Sequence, residues 1–422
     1  MNQPASTEDR GVDFQALEGE MELTAPEVYA SNLIEWAVDR HASDLFVSDS
    51  EHSVVVAVRR LGQVETVRRL ARNYGRKLQR HLRVLAGADG GDVVRPAEGR
   101  GILQTPDNRS IDLRLSSIPT LFGQDVAIRL FDPVNGARPL DALGYSSDET
   151  EIIRGLISRP SGLILVAGPI ASGKSSTLYA AIDHLNDGTR KIHTLEDPIE
   201  HAVPGVMQSQ VNLRAGLDFA DLLASVLRHS PDVIMIGEIR DRRTAETAVR
   251  AGASGQLVLA TIHAKSAAEA IDSLMQYDAN PKFVASSLVG VVNQRLLRKL
   301  CTECRSPLTT SGLEAVSPRV TAAMRGVPMG IYEAGSCDAC FADGYDSLTC
   351  VPEILCVDSL IADRIAAACP ASEVESAACQ NGMLHLSEVV ATRVLEGTTT
   401  VAEAQRVVSN PLISELQMCV RE

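Results

Sequence analysis

The sequence predicts an α/β protein whose main part is a parallel sheet covered by helices, preceded by a smaller α+β domain. Three observations predict it. Short apolar runs at Leu163–Val166, Ile192–Leu195, Val233–Ile236 and Leu257–Ile262 read as buried strands. Amphipathic stretches near 218–229 and 241–254 separate them in a βαβ rhythm. The glycine-rich segment Gly168-Pro169-Ile170-Ala171-Ser172-Gly173-Lys174-Ser175 lies between the first strand and a helical stretch, Ser176–Leu185, with Leu178, Ala181 and Ile182 on one face.

Other elements follow in chain order. Residues 1–24 are polar and acidic and read as a disordered tail. They lack the basic and apolar regions of a signal peptide, so the chain is expected to stay in the cytoplasm. Ala25–Ala42 reads as an amphipathic helix with Val28, Leu33, Trp36 and Ala37 in its stripe. Leu45–Val47, Val54–Val58, Ile111–Leu115 and Val126–Leu130 read as strands, and Arg68–Leu85 as a helix. That places an upstream α+β domain at 25–132. Residues 133–150, rich in Pro, Gly, Asp and Ser, read as a linker. The sheet-and-helix core covers 151–300, where the sheet pattern stops; a cysteine-bearing segment covers 301–350 and a helical region 351–422.

Composition narrows the class. A chain of 422 residues is too long for one ordinary core. No apolar run reaches the ~18 residues of a membrane span. A net charge of −14 argues against nucleic acid as a direct partner. Arg68, Arg69, Arg72, Arg76, Lys77, Arg80 and Arg83 form a basic run, read as a solvated helix face.

The glycine-rich segment fits G-x-x-x-x-G-K-[ST], the phosphate-binding P-loop. Its backbone N–H groups would wrap a phosphate at a helix N-terminus. Lys174 would reach the β- and γ-phosphates of ATP, and Ser175, followed by Ser176, would hold Mg²⁺. Glu238 ends the strand Val233–Ile236, where such proteins place an acid that orients Mg²⁺ or its water ligands. Glu196-Asp197-Pro198-Ile199-Glu200 follows another strand and offers a carboxylate to polarise water, though acids beside Pro also mark solvated turns. His263 closes the strand Leu257–Ile262, as a γ-phosphate sensor or as an ordinary structural histidine. Cys301-x-x-Cys304 and Cys337-x-x-Cys340 read as a four-cysteine zinc site, with the remaining five cysteines as core residues.

In order along the chain, these segments resemble the secretion ATPases of type II secretion and type IV pilus assembly, over roughly residues 25–410. Ser175-Ser-Thr-Leu-Tyr179 continues the P-loop as in that family. Thr194-Leu-Glu-Asp-Pro-Ile-Glu200 resembles its aspartate box, and Leu227-Arg-His-Ser-Pro-Asp-Val-Ile-Met-Ile-Gly-Glu-Ile-Arg-Asp241 its Walker B segment. Thr261-Ile-His263 resembles its histidine box, and Gln294-Arg-Leu-Leu-Arg-Lys-Leu-Cys301 leads into its tetracysteine segment. The resemblance implies a RecA-like core, a PAS-like upstream domain, a homo-hexamer, and inner-membrane platform and docking proteins as partners. Ile111-Asp-Leu-Arg-Leu-Ser116 and Val126-Ala-Ile-Arg-Leu130 resemble the family's arginine-bearing strands, which makes Arg114 and Arg129 candidate arginine fingers. The tetracysteine segment is typical of assembly and secretion ATPases and absent from retraction ATPases, so the resemblance implies a motor that pushes subunits outward.

The chain departs from the family in places. Ala42-Ser-Asp-Leu-Phe-Val-Ser48 lacks the His and Glu usual there, Ser254-Gly-Gln256 replaces Thr-Gly-His, and Gly344-Tyr-Asp-Ser-Leu348 replaces Gly-Tyr-x-Gly-Arg. Ile170-Ala171 stands where Thr-Gly is common. About 24 residues precede the upstream domain, so recruitment is expected through a surface other than an added N-terminal domain. Phe46, Ser48 and Gln256 motivate a second reading, a nucleotide-binding regulator or scaffold with little turnover. A nucleic-acid motor is the third and is disfavoured by the charge.

Overall fold

The computed structural model describes residues 25–105, 108–131, 138–313 and 316–420. The N-terminal tail and the start of the expected linker lie outside the described residues. The chain divides into two compact units, the first ending at Gly136 and the second beginning at Ala137.

The first unit contains α1 (Pro26–Asp39), β1 (Ala42–Asp49), β2 (Ser53–Arg60), β3 (Gln63–Ala71), α2 (Arg72–Leu85), β4 (Ala97–Gln104), β5 (Ser110–Thr120) and β6 (Gly123–Phe131). The six strands form an antiparallel sheet in the order β3-β2-β1-β6-β5-β4. Alternate residues on one face, among them Leu45, Val47, Val56, Leu113 and Ile128, pack with Leu33 of α1 and Leu78 and Leu82 of α2. Pro26 opens α1, where its fixed φ suits the first turn. The apolar stripe of α1 is Tyr29, Ala30, Leu33, Ile34, Ala37 and Val38; Val28, expected in it, is 52% exposed. Arg68 and Arg69, expected on a helix, end the edge strand β3, and Arg83 is buried rather than solvated.

The second unit begins with α3 (Ser147–Ile157), capped by reciprocal bonds between Ser146 and Glu149. Its sheet and covering helices follow: β7 (Gly162–Ala167), α4 (Lys174–Leu185), β8 (Ile192–Glu196), β9 (Met207–Gln210), α5 (Phe219–Val226), β10 (Val233–Ile236), α6 (Arg242–Ala253), β11 (Leu257–Ile262), α7 (Ala267–Gln276), α8 (Pro281–Ser287) and β12 (Leu288–Leu300). A two-strand ribbon, β13 (Ser306–Pro307) with β14 (Tyr332–Glu333), precedes β15 (Tyr345–Cys356). Sheet order is β15-β12-β7-β11-β10-β8-β9. All neighbours are parallel except β15, which runs antiparallel to β12. Every residue of β7, β10 and β11 is buried, because helices cover both faces. Residues 140–145 of the expected linker include a single helical turn, Leu140–Ala142, and bury Leu140, Leu143 and Tyr145 against this sheet.

The sheet does not stop near residue 300, as the sequence suggested. Strand β12 carries Asn293, Gln294, Arg295, Arg298 and Lys299, and β15 returns along it after the cysteine segment. Helices from Ser359 to Met418 complete the unit, and Leu297, Val351, Val390, Val394, Ala404 and Ile413 form a core beneath them. Among the described residues, no helix is long and apolar enough to cross a membrane.

Candidate active site

The sharp turn from β7 into α4 is made by backbone that most residues resist. Gly168 and Gly173 have φ of 145° and 86°, and a Cβ on Gly168 would lie 2.5 Å from Ser172 Oγ. Lys174 opens α4, whose first N–H groups have no partner within the helix and so suit an anion. The Lys174 ammonium donates to the carbonyls of Gly168 at 3.0 Å and Pro169 at 2.9 Å. Burial pushes its pKa down, and Glu238 opposes the shift. Ser175 and Ser176 are exposed on the first turn.

Parallel strands place their C-terminal ends side by side at this turn. Glu238 follows β10, and its carboxylate meets His263 Nε2 at 2.7 Å just beyond β11. His263 Nδ1 lies 3.2 Å from the Gly168 carbonyl oxygen, so the histidine spans Glu238 and the P-loop. Thr261 Oγ1 donates to the Gly237 carbonyl at 2.5 Å, fixing the backbone before Glu238. Arg240 bonds the Glu238 carboxylate and lies 3.3 Å from Asp197. Glu196, at the end of β8, is buried and accepts bonds from Tyr179, from Thr194 Oγ1 at 2.6 Å and from Gln208 Nε2 at 3.0 Å. Burial, with Glu196 adding to it, pushes the Tyr179 hydroxyl pKa up. The Glu200 backbone N–H donates to the same hydroxyl at 3.3 Å, and the His201 ring stacks on Tyr179 with centroids 3.9 Å apart.

Lys174, Ser175, Glu200, Glu238, Arg240 and His263 therefore face one cleft of about 340 Å³. Of the residues singled out by sequence, Ile170 and Ala171 line it as well. Arg114 and Arg129 lie in the first unit, paired with each other across β5 and β6. Sequence reasoning quoted Arg240 and Asp197 within their motifs but gave neither a role of its own; the available signal was one cation between acids at two adjacent strand ends. It quoted Gln294 only as the start of the run into the cysteine segment and passed over Tyr145, giving neither a place behind the loop.

Cleft and fold agree with what the chain resembles among known proteins. It matches the type II/IV secretion system protein family over residues 21–406. The chain belongs to that family. The type II secretion system protein E of Pseudomonas aeruginosa is 36% identical over 389 residues, covering 92% of this chain and 76% of that protein. The type IV pilus assembly ATPase PilB of Thermus thermophilus is 31% identical over 389 residues, but this chain spans only 43% of its length. Two solved structures share the fold: the Legionella pneumophila ATPase DotB (TM-score 0.66, 18% identity, 90% of this chain and 95% of that one) and the pilus retraction motor PilT with bound ADP (TM-score 0.60, 23% identity, 92% and 98%). This chain is an ATPase of the type II/IV secretion family.

In this secretion ATPase the four cysteines of the paired motif converge. Cys301 follows β12, Cys304 lies in the next turn, and before β15 Cys337 precedes and Cys340 ends a single helical turn, Asp338–Cys340. Their sulfurs are separated by 3.8 Å (Cys301 to Cys337), 3.8 Å (Cys304 to Cys340) and 3.6 Å (Cys337 to Cys340). A tetrahedron with Zn–S bonds of about 2.3 Å has edges of about 3.8 Å, so the donor set fits zinc. The Gly344 N–H donates to Cys340 Sγ at 3.2 Å, which favours a thiolate there. Of the other five cysteines only Cys350 is buried; Cys356 is exposed, and Cys369, Cys379 and Cys419 are half-buried. The reading of all five as core residues holds for Cys350, holds in part for Cys379 and Cys419, which pack against the core from half-buried positions, and fails for exposed Cys356.

Proposed function

We propose that this ATPase is the cytoplasmic motor of a pilus or pseudopilus assembly machine, working as a homo-hexamer against inner-membrane platform and docking proteins. The convergence of four separate chain segments on the cleft beside Lys174 carries the reading. In this proposal the loop from Gly168 to Ser176 holds the ATP phosphates, and Ser175 with Glu238 holds Mg²⁺, which supplies charge neutralisation at the phosphates. Glu200 polarises the attacking water, and His263, already within reach of both Glu238 and the loop, senses the γ-phosphate. Arg114 and Arg129 reach the phosphates when the first unit closes, coupling hydrolysis to movement of the partner. Zinc held by Cys301, Cys304, Cys337 and Cys340 crosslinks the segment that the outward-pushing members of the family carry.

Steady-state ATP hydrolysis by wild type, Glu200→Gln and Glu238→Gln, with mass by light scattering, tests this reading. Turnover in a hexamer, lost in either variant, is the expected result. ATP binding without turnover in every assembly state would replace the motor with a nucleotide-binding scaffold.

A further inference from the structure

Gln294 belongs to no motif of phosphate chemistry, yet it backs the whole P-loop from strand β12. Its side chain is fully buried. Nε2 donates to the Ser172 carbonyl at 2.8 Å. Oε1 accepts from the Tyr145 hydroxyl at 2.7 Å and from Thr177 Oγ1 at 2.9 Å. The two hydroxyls can donate and the carbonyl can only accept, so the network leaves the amide one orientation. Gln294 also closes the space behind both loop glycines. A Cβ on Gly168 would meet its backbone carbonyl oxygen at 2.6 Å, and one on Gly173 its side-chain Nε2 at 3.1 Å.

The consequence follows from peptide planarity. The Ser172 C=O and the Gly173 N–H share one rigid plane and point in opposite directions. Holding the carbonyl back against β12 aims the Gly173 N–H forward into the anion cradle. Rotating that peptide would instead present a carbonyl dipole to the phosphates. We propose that Gln294 is a positioning residue for nucleotide binding, orienting the Ser172–Gly173 peptide, with Tyr145 and Thr177 locking its amide. The inference rests on the P-loop being the nucleotide site.

The test is the equilibrium Kd for ATP, with kcat at saturating ATP and the melting temperature of nucleotide-free protein, for Gln294→Met, Gln294→Glu and Lys174→Ala. Gln294→Met keeps the length and loses the donor, so Kd rises on the order of ten-fold while kcat stays within about three-fold. Gln294→Glu sets a carboxylate oxygen against the Ser172 carbonyl and weakens binding further. Should neither variant fold, the pair Tyr145→Phe with Thr177→Val unlocks the amide and raises Kd at least about three-fold. A Gln294→Met or Tyr145→Phe/Thr177→Val protein that binds ATP like wild type, while Lys174→Ala does not, overturns the inference and leaves a merely structural glutamine. If Lys174→Ala itself binds ATP like wild type, the site reading fails instead.

Discussion

Arg114 on β5 stands directly opposite Arg129 on β6. The row extends across the sheet: Arg100 is opposite Arg114, Asp44 opposite Arg129, and Arg59 opposite Asp44. Arg59 and Arg129 each lie 3.3 Å from Asp44, so one acid serves two guanidinium groups. Like charges facing each other across strands cost stability, about 0.2–1 kcal/mol per pair. Asp112 beside Arg100, Asp44 beside Arg129 and the Phe131 ring under Arg114 offset part of that cost, and in the proposed mechanism the row serves the nucleotide phosphates. The expectation for Arg114→Gln and Arg129→Gln is therefore a fold no less stable than wild type, with turnover reduced on the order of 10³-fold. Thermal melts and ATPase rates check this; wild-type turnover in both variants removes the arginines from the mechanism.

Ala171 sits in the P-loop with φ of 60°, in the left-handed region where the family commonly has glycine. A residue with a Cβ there carries strain of about 1 kcal/mol, and a β-branched residue carries more. Ala171→Gly is expected to match or exceed wild-type stability by up to about 0.5 kcal/mol, since glycine's extra unfolded-state entropy offsets most of the relief. Ala171→Val is expected to lose about 1–3 kcal/mol and to bind ATP more weakly. Melting curves and ATP titrations of both variants decide it, and a stable, tight-binding valine variant contradicts the strained loop.

Much of this architecture was legible in the residues because fully buried parallel strands read as unbroken apolar runs. The strands at Val233–Ile236 and Leu257–Ile262 lie where the sequence put them. The missed strands fail that pattern for physical reasons. β3 and β4 are sheet edges, where charged residues and glycine replace apolar runs, and Arg68 and Arg69 on β3 mimicked the start of a helix. β12 is central but holds Gln294 and Asn293, polar groups that only a tertiary partner justifies. Glu238 and His263 were readable for the same reason: each lies just past the end of an apolar run. Gln294 and Tyr145 act on the loop from other elements, and no local pattern announces such contacts.

The cysteine sulfurs predict a measurable metal. One zinc per chain by elemental analysis is the expected content, falling to none in Cys301→Ser/Cys337→Ser. Metal removal should loosen the segment from Cys301 to Tyr345, because these four thiolates tie β12 to the turn before β15. Proteolysis between the cysteine pairs should accelerate on chelation, and re-adding zinc should restore resistance. Full resistance in metal-free protein would make the cluster dispensable for order.

Glu403 anchors the C-terminal helices to β12. Its carboxylate accepts from the Arg298 backbone N–H at 3.1 Å and Nε at 3.0 Å, and from Arg406 Nε at 2.9 Å and a terminal nitrogen at 2.6 Å. The Arg298 guanidinium also covers the Tyr345 ring at 3.8 Å. Burial pushes the Glu403 carboxyl pKa up, but the bonds from Arg406 and Arg298 outweigh it and hold it below the ordinary 4.5. A depressed carboxylate contributes stability above its unfolded-state pKa and loses it as pH falls through the folded value. Glu403→Gln leaves two guanidinium groups facing an amide, at a cost of about 3 kcal/mol near neutral pH. The gap in melting temperature between variant and wild type should be widest at neutral pH and close as pH drops below 4.5. Comparing the two proteins at each pH cancels the acid loss of the cysteine site common to both. A gap that stays constant across that range would assign the damage to packing rather than to charge.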